Sequence, residues 1–456
     1  MAINSSNNIG RIIANPFFIN GMVWLIVVGI YSLGWSALCP DLSDDMKIFM
    51  GLTISLSFFL TIVTFYRKII FFRPLAKINM RSVKIWAVLL WLLFIIEIAV
   101  AKGTPLLSYA LGTGGVTYNE FGLPYVHVIV VNGLTVLSIY CYYAVRSKVG
   151  TKKDRRILRF IAFSALVCFL LQFNRGALMA PLIGFFLIAL LSTRRPWRLL
   201  GGLTIGIVAI LMGFGYLGEM RAGEKGKRMI LDLGKASTEF RASGIPDEFF
   251  WAYIYISTPL ANAQNTVNHS LNSEYDTDDI SALILSEMTP EIISKRISGE
   301  EEGKKKITLR KESILLENHL TASSVYGRAS RYMGWTGLWV LFGFTLFFIY
   351  FNMKLVDRKS QWYLPMFITL DLIVLMNVFD NMFVFMGMVP QVFIILVIYF
   401  YGKATKNMRS FSLRTQQPGR LFNPDLLLPL DSTRTAQDTA PAVASHDSGA
   451  HGKPGE

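Results

Sequence analysis

The sequence predicts an all-α polytopic membrane protein with about ten transmembrane helices and one large helical loop outside the membrane. Of the 456 residues, 52% are hydrophobic and 17% are charged, and the mean hydropathy is +0.43. Soluble domains have about 25% charged residues. The apolar residues also form long runs, and one long polar stretch between Gly218 and Met333 interrupts the series of runs.

The apolar runs each contain roughly 17 to 25 residues, which is enough to cross the hydrocarbon core of a bilayer as a helix. The first run lacks the cleavage site of a removable signal peptide, so we expect it to remain as an anchor. The predicted spans are Phe17–Ala37, Met46–Tyr66, Val83–Ala101, Pro124–Val145, Ile157–Phe173, Ala177–Ser192, Leu199–Leu217, Trp335–Met353, Trp362–Phe379 and Phe383–Tyr401.

These spans divide the chain into four parts. Residues 1–217 form an N-terminal bundle of about seven helices, residues 218–333 the loop, and residues 334–403 about three further helices. Residues 404–456 are rich in Pro, Ser, Thr, Ala and Gly. That composition buries too little apolar surface to fold, so we expect a disordered tail.

Lysine and arginine collect in alternate connectors, which predicts the orientation of the chain. They lie between Arg67 and Lys84, Arg146 and Arg159, Arg194 and Arg198, and Lys354 and Lys359. Positively charged loops remain in the cytoplasm, so both termini are expected there and the long loop on the opposite side. The net charge of +14 then reflects topology and contact with anionic lipids. We expect no nucleic-acid partner.

The long loop contains signals for helices of its own. The aromatic run Pro246–Gln264 is too short and too polar at its ends to span a bilayer, and suits a helix that lies in the interface or dips into the membrane. Asp278 or Asp279 can cap a helix through ISALILSEM. Pro290 favours the start of a further helix at its own position. The loop is therefore predicted to be a small helical subdomain.

Several arginines are expected near the outer membrane face. Arg175 lies in the tight turn between two spans, where a cation needs a partner. That partner is a lipid headgroup, Glu97 or Asp380, or an anionic group of a substrate. Four further arginines lie at the ends of the loop or beside its aromatic run, namely Arg221, Arg241, Arg328 and Arg331. Guanidinium groups bind pyrophosphate bidentately and need no metal ion to do so.

Three other features carry polar chemistry. Asp371 lies in the middle of the ninth span, where it either pairs with an interior partner, lines a proton pathway or stays protonated. The D-x-D triplet at Asp276–Asp278 occurs in metal-dependent transferases, although a solvated helix-capping turn is the favoured interpretation. His319 is the histidine best placed for acid–base work. The spacing of the three cysteines predicts neither disulfides nor a zinc site.

The motifs FNRGALMAPLI, WAYIYISTPLANAQ and LTASSVYGRASRYMGWTG, together with the late position of the loop, resemble the Wzy-type O-antigen or exopolysaccharide repeat-unit polymerases. The resemblance covers roughly Leu170–Phe344, about two fifths of the chain. It implies a glycosyltransferase of the GT-C type in the bacterial inner membrane. Such enzymes transfer a polysaccharide from undecaprenyl pyrophosphate to an incoming lipid-linked repeat unit on the periplasmic side.

Combined with the charge pattern, the resemblance assigns roles to individual residues. Arg175, Arg241 and Arg331 are expected to bind the lipid pyrophosphate, with Arg221 and Arg328 as supporting cations. His319 or Glu219 is expected to act as the base that takes the acceptor proton. No metal or other cofactor is expected. The expected partners are undecaprenyl-pyrophosphate-linked glycans, membrane lipids, and also a chain-length regulator and a lipid flippase.

Two alternatives to the polymerase remain open. An O-antigen ligase shares the topology and the chemistry but transfers finished glycan to a lipid A core. A polysaccharide transporter or flippase without enzymatic activity needs a polar path through the bilayer. Embedded charges are few, with Glu97 and Asp371 the clearest, and this disfavours the transporter.

Overall fold

The structure is a computed structural model that describes residues 7–112, 115–117, 120–202, 231–270, 277–297, 315–318 and 320–415. Side chains are described as far as Thr405, with the exception of that of Arg175. The described part is helical and contains no strand, apart from an isolated antiparallel bridge between Ser36 and Ala236. The predicted all-α class is confirmed.

The helices that precede the long loop are α1 (Asn8–Ile13), α2 (Pro16–Tyr31), α3 (Asp44–Tyr66), α4 (Met80–Ala101), α5 (Pro105–Ala110), α6 (Val126–Arg146), α7 (Lys152–Leu171) and α8 (Arg175–Ser192). Within the loop and after it lie α9 (Thr238–Ala242), α10 (Glu248–Ser270), α11 (Thr277–Leu283), α12 (Glu291–Ile297), α13 (Ser324–Leu355), α14 (Tyr363–Met376) and α15 (Pro390–Thr415). A single π-helical turn, Ile284–Met288, follows α11 directly.

Among the described helices, four are long and apolar enough to cross a membrane, namely α3, α4, α6 and α13. Shorter apolar helices are α2, α14, the Gly176–Ser192 part of α8 and the Pro390–Thr405 part of α15. A full crossing takes about 20 residues, and the apolar parts of these helices are shorter than that. The helical membrane class is thus supported, and the number of about ten spans stays a prediction.

Local signals explain where several helices begin. The hydroxyl of Ser43 accepts a hydrogen bond from the N–H of Met46 at the start of α3, where Asp44 and Asp45 also complement the helix dipole. A capping box between Thr151 and Asp154 starts α7. Within the loop, α12 begins directly after Pro290, as predicted.

The boundaries of two predicted spans were wrong. The first span ends at Tyr31 rather than Ala37, and the chain then turns through Gly34, which has a φ of +63°. The last begins at Pro390 rather than Phe383, because residues before it form turns and proline suits the first position of a helix. The seventh predicted span, Leu199–Leu217, lies mostly outside the described residues, and residues 196–202 are helical.

Helix α13 begins at Ser324, eleven residues before the predicted Trp335. The segment GRASRYM, predicted to end the loop, is therefore part of the same helix as the following span. Met333 and Gly334 interrupt the helical conformation, and Gly334 has φ +48° and ψ −130°. Residues other than glycine rarely adopt this conformation. The resulting kink separates the arginine-bearing turn of α13 from its apolar part.

Helix α10, predicted to lie in the membrane interface or to dip into the membrane, packs against α13 and α2. Leu260, Ala261 and Asn262 on this helix are buried. The Asn262 amide donates to the carbonyls of Leu320 and Ala322 at 2.8 and 2.7 Å. The aromatic run of the loop thus supports the segment that leads into α13.

Candidate functional site

The structure brings together two of the predicted arginines, Arg328 and Arg331, with three polar residues from other segments. We call Glu287, Arg328, Arg331, Asp380 and Asn381 the arginine cluster. Both arginines project from the turn of α13 that precedes the kink. Glu287 comes from the π-helical turn of the loop, and the other two follow α14. The cluster therefore connects the loop to two apolar helices.

Two carboxylates neutralise Arg328. Its Nε lies 3.0 Å from Glu287 Oε2, and its Nη1 lies 2.9 Å from Asp380 Oδ1. The Asn381 amide donates to the Glu287 carboxylate at 2.9 Å and to its backbone carbonyl at 2.8 Å. Burial raises the pKa of Glu287, whose side chain is 2% exposed, and the positive charge of Arg328 opposes that rise.

Arg331 differs from Arg328 because no carboxylate within the described chain forms an ion pair with it. Its Nη2 donates to the hydroxyl of Ser323 at 3.2 Å, and its Nε is buried without a hydrogen-bond partner. A buried donor without a partner is costly, and each such group calls for a specific explanation. Arg331 is thus the member of the arginine cluster that retains capacity for an anionic ligand.

Arg241 lies in a different environment from the arginine cluster. Its Nη2 pairs with Asp232 at 2.8 Å and donates to the carbonyl of Leu231 at 3.2 Å, and its side chain is 46% exposed. These contacts hold α9 against the residues that precede it. Phe240 of the same helix packs on Phe250. The contacts of Arg241 account for this residue structurally, and its role in substrate binding stays a prediction.

The remaining predicted site residues are not described in the structure. Glu219, Arg221 and His319 lie outside the described residues, and Arg175 begins α8 with an undescribed side chain. Both acids proposed as partners of Arg175 have other contacts. The Glu97 carboxylate contacts His127 Nδ1 at 3.2 Å and accepts the Leu123 N–H at 3.2 Å, and Asp380 pairs with Arg328.

The metal-binding interpretation of the D-x-D triplet gains no support within the described part of the chain. Asp276 lies outside it, while Asp278 and Asp279 occupy the first turn of α11. Because the helix begins at Thr277, both aspartates lie inside its first turn and complement the helix dipole rather than cap the helix as predicted. The described residues contain no group of three potential metal ligands. Cys39, Cys141 and Cys168 are free thiols, and burial raises the pKa of Cys39 to about 11.

Asp371 is fully buried on α14. The interior partner expected for it is missing from the described residues, because neither carboxyl oxygen has a hydrogen-bond partner there. Helix α14 packs against α2 and α8, so the carboxyl lies within the helical bundle.

Sequence reasoning found Arg328 and Arg331 but missed Glu287 and Asn381. Glu287 is the second-last residue of the apolar run ISALILSEM, and a carboxylate within such a run is the signal that could have indicated a buried, paired acid. Asn381 carries no comparable signal.

No family model, curated protein or solved structure matches this chain. The residues of the arginine cluster and the sequence resemblance therefore carry the functional inference.

Proposed function

We propose that the protein is a metal-independent glycosyltransferase of the bacterial inner membrane. It polymerises undecaprenyl-pyrophosphate-linked repeat units into O-antigen or exopolysaccharide on the periplasmic face, with both termini in the cytoplasm. The observation that supports this most is the Nε of Arg331, which is buried without a hydrogen-bond partner among the described residues and lies beside a neutralised Arg328. Both residues lie in the GRASRYM segment that carries the resemblance.

In the proposed reaction, the acceptor hydroxyl oxygen bonds to the anomeric carbon of the donor glycan. The bond from that carbon to the pyrophosphate oxygen breaks, and the electron pair leaves with undecaprenyl pyrophosphate. A base takes the acceptor proton, with His319 and Glu219 as the candidates. Negative charge builds on the leaving oxygen, and a fixed cation in a water-poor site stabilises it strongly.

The two arginines of α13 take different parts in this proposal. Glu287 and Asp380 already compensate the charge of Arg328, which therefore acts as a positioning residue. It orients the turn that carries Arg331, three residues further along the same helix. Arg331 binds the pyrophosphate through its free donors, for which the planar guanidinium is better suited than an ammonium group.

Replacing Arg331 tests the proposal. In a deletion strain, the Arg331→Ala variant should give no polysaccharide ladder while single repeat units remain attached to the core. Arg331→Lys should restore only part of the ladder, because lysine cannot bind phosphate bidentately. Lys235→Ala serves as the control, since Lys235 is another cation of the loop that forms an exposed ion pair with Glu317 at 2.8 Å.

The outcomes separate the polymerase from its alternatives. A normal ladder from membranes that contain the Arg331→Ala protein would contradict the proposal. Accumulation of lipid-linked polymer in the deletion strain, rather than single repeats, would indicate an O-antigen ligase. Asp371 is the observation that favours a transporter, because unpartnered carboxylates within membrane helices commonly mark transport pathways. Transport into vesicles with unchanged glycan length would establish that alternative.

A further inference from the structure

A cavity of about 570 Å³ lies between the start of α6 and helix α12. We call it the Tyr125 cavity. Its wall includes Tyr125, Val128, Glu291, Lys295, Arg296 and Met386. None of these residues belongs to the arginine cluster, and no role assigned above involves them.

Two chain segments contribute to both the arginine cluster and the Tyr125 cavity. One runs from Glu287 to Glu291, and the other from Asn381 to Met386. The Asn381 amide donates to the carbonyl of Glu287 at 2.8 Å, and the N–H of Glu291 donates to the carbonyl of Val384 at 3.1 Å. Glu287 is a cluster member and Glu291 lines the cavity. Four residues of extended chain reach at most about 14 Å, so the two sites are neighbours.

The charges of the cavity wall favour an anion. Lys295 Nζ contacts Glu291 Oε1 at 2.5 Å, so these two charges compensate each other. Arg296 is exposed and forms no ion pair with any described residue. Among the described residues, the wall therefore carries one guanidinium without an ion-pair partner, which suits a carboxylate or a phosphate.

Tyr125 adds an aromatic surface to this charge. Its side chain is 58% exposed and its backbone has φ +65° and ψ −43°, a conformation that is unfavourable for a residue with a side chain. Strain of this kind is often found at ligand-binding positions. The Asn132 amide donates to the carbonyl of Met386, another wall residue, at 2.8 Å. An aromatic ring beside a cation is a combination that binds acidic sugars, because the ring contacts the C–H face of the sugar.

We propose that the Tyr125 cavity binds a carboxylate-bearing sugar of the acceptor glycan. The assignment to the acceptor rests on the proposed function, whereas binding of the acidic sugar does not. Arg296 binds the sugar carboxylate and Tyr125 stacks on its ring. The short distance to the arginine cluster brings the acceptor hydroxyl towards the leaving group held by Arg331.

The experiment measures glycan binding to the full-length protein in phosphatidylcholine nanodiscs by isothermal titration calorimetry. The probes are tri-galacturonic acid and maltotriose, which have the same number of sugars but differ in charge. Tri-galacturonic acid should bind at least tenfold more tightly than maltotriose. The Arg296→Ala and Tyr125→Ala variants should each weaken its binding about tenfold, and Arg296→Lys should weaken it less.

Lys47→Ala provides the matched control, because Lys47 forms an exposed ion pair with Asp44 at 3.0 Å like that of Lys295 but does not line the Tyr125 cavity. Equal affinity for the two trisaccharides, no binding of either, or unchanged binding by Arg296→Ala would overturn the proposal. Loss of tri-galacturonic acid binding in phosphatidylglycerol nanodiscs would assign the cavity to a lipid headgroup and overturn it as well.

The same measurement on Arg331→Ala separates this proposal from the proposed function. That variant should lose polymerisation but bind tri-galacturonic acid as the unmodified protein does. Retained polymerisation with retained binding would remove only the role of Arg331. Lost polymerisation without any acidic-glycan binding in the unmodified protein would remove only the Tyr125 cavity.

Discussion

Glu287 and Asp371 are both fully enclosed by the protein, yet their surroundings differ completely. Glu287 lies in the loop and is held by Arg328 and Asn381, which come from two other segments. Asp371 lies on an apolar helix, and no described residue forms a hydrogen bond with it. The first carboxylate therefore fastens the loop to the helices, whereas the second has no hydrogen bond to any described residue that could do so.

This difference shows where the protein keeps polar groups for something other than stability. A buried polar group without a partner lowers stability, so its presence needs a separate reason. Arg331 and Asp371 both belong to this class, since the Nε of one and both oxygens of the other lack partners in the described chain. Glu287, Arg328 and Asp380 form the framework around Arg331.

The largest effect is expected when the partner of Arg328 is removed. Glu287→Leu should lower the free energy of unfolding by about 3–5 kcal/mol, because it leaves a buried guanidinium with one carboxylate fewer. Unfolding by sodium dodecyl sulfate, followed by tryptophan fluorescence, measures the change. Asp44→Leu is the control, since Asp44 is 92% exposed in its ion pair and should change stability by less than about 1 kcal/mol.

A smaller loss is expected at Glu97, a buried acid that contacts a backbone N–H and a histidine ring rather than an arginine. Glu97→Leu should cost about 2 kcal/mol, because the N–H of Leu123 and the ring of His127 lose their acceptor. The same unfolding measurement applies. Glu97→Gln, which keeps an acceptor oxygen, should recover part of the loss, and equal effects of both variants would contradict this account.

The smallest effect, and one of opposite sign, is expected at Asp371. Leucine has the same branching at Cγ, so Asp371→Leu should raise the free energy of unfolding by about 1 kcal/mol by removing an unpartnered polar group. A destabilisation as large as that of Glu287→Leu would reveal a partner for Asp371 and end the contrast between the two acids. Loss of glycan polymerisation in a stabilised Asp371→Leu protein would instead give the carboxyl a role in function.

Two members of the arginine cluster were predicted as site residues from the sequence. Arg328 and Arg331 were predicted because they lie at the end of the loop, near the expected outer membrane face, and both belong to one short motif. Asp380 was considered, but as a partner of Arg175 rather than of Arg328. Glu287 and Asn381 could not be assigned, because Glu287 lies 41 residues from Arg328 and 94 from Asn381 along the chain.

The sequence by itself determined the membrane class and the approximate position of most described helices. Helices α3 and α4 begin within three residues of their predicted starts and end at the predicted residues, since the length of an apolar run and a helix cap are local properties. Only the tertiary structure decided that α10 packs inside the protein, that α13 kinks at Gly334, and which charges meet. Ion pairing and burial depend on distances between segments remote in sequence, and a local pattern contains no information about those distances.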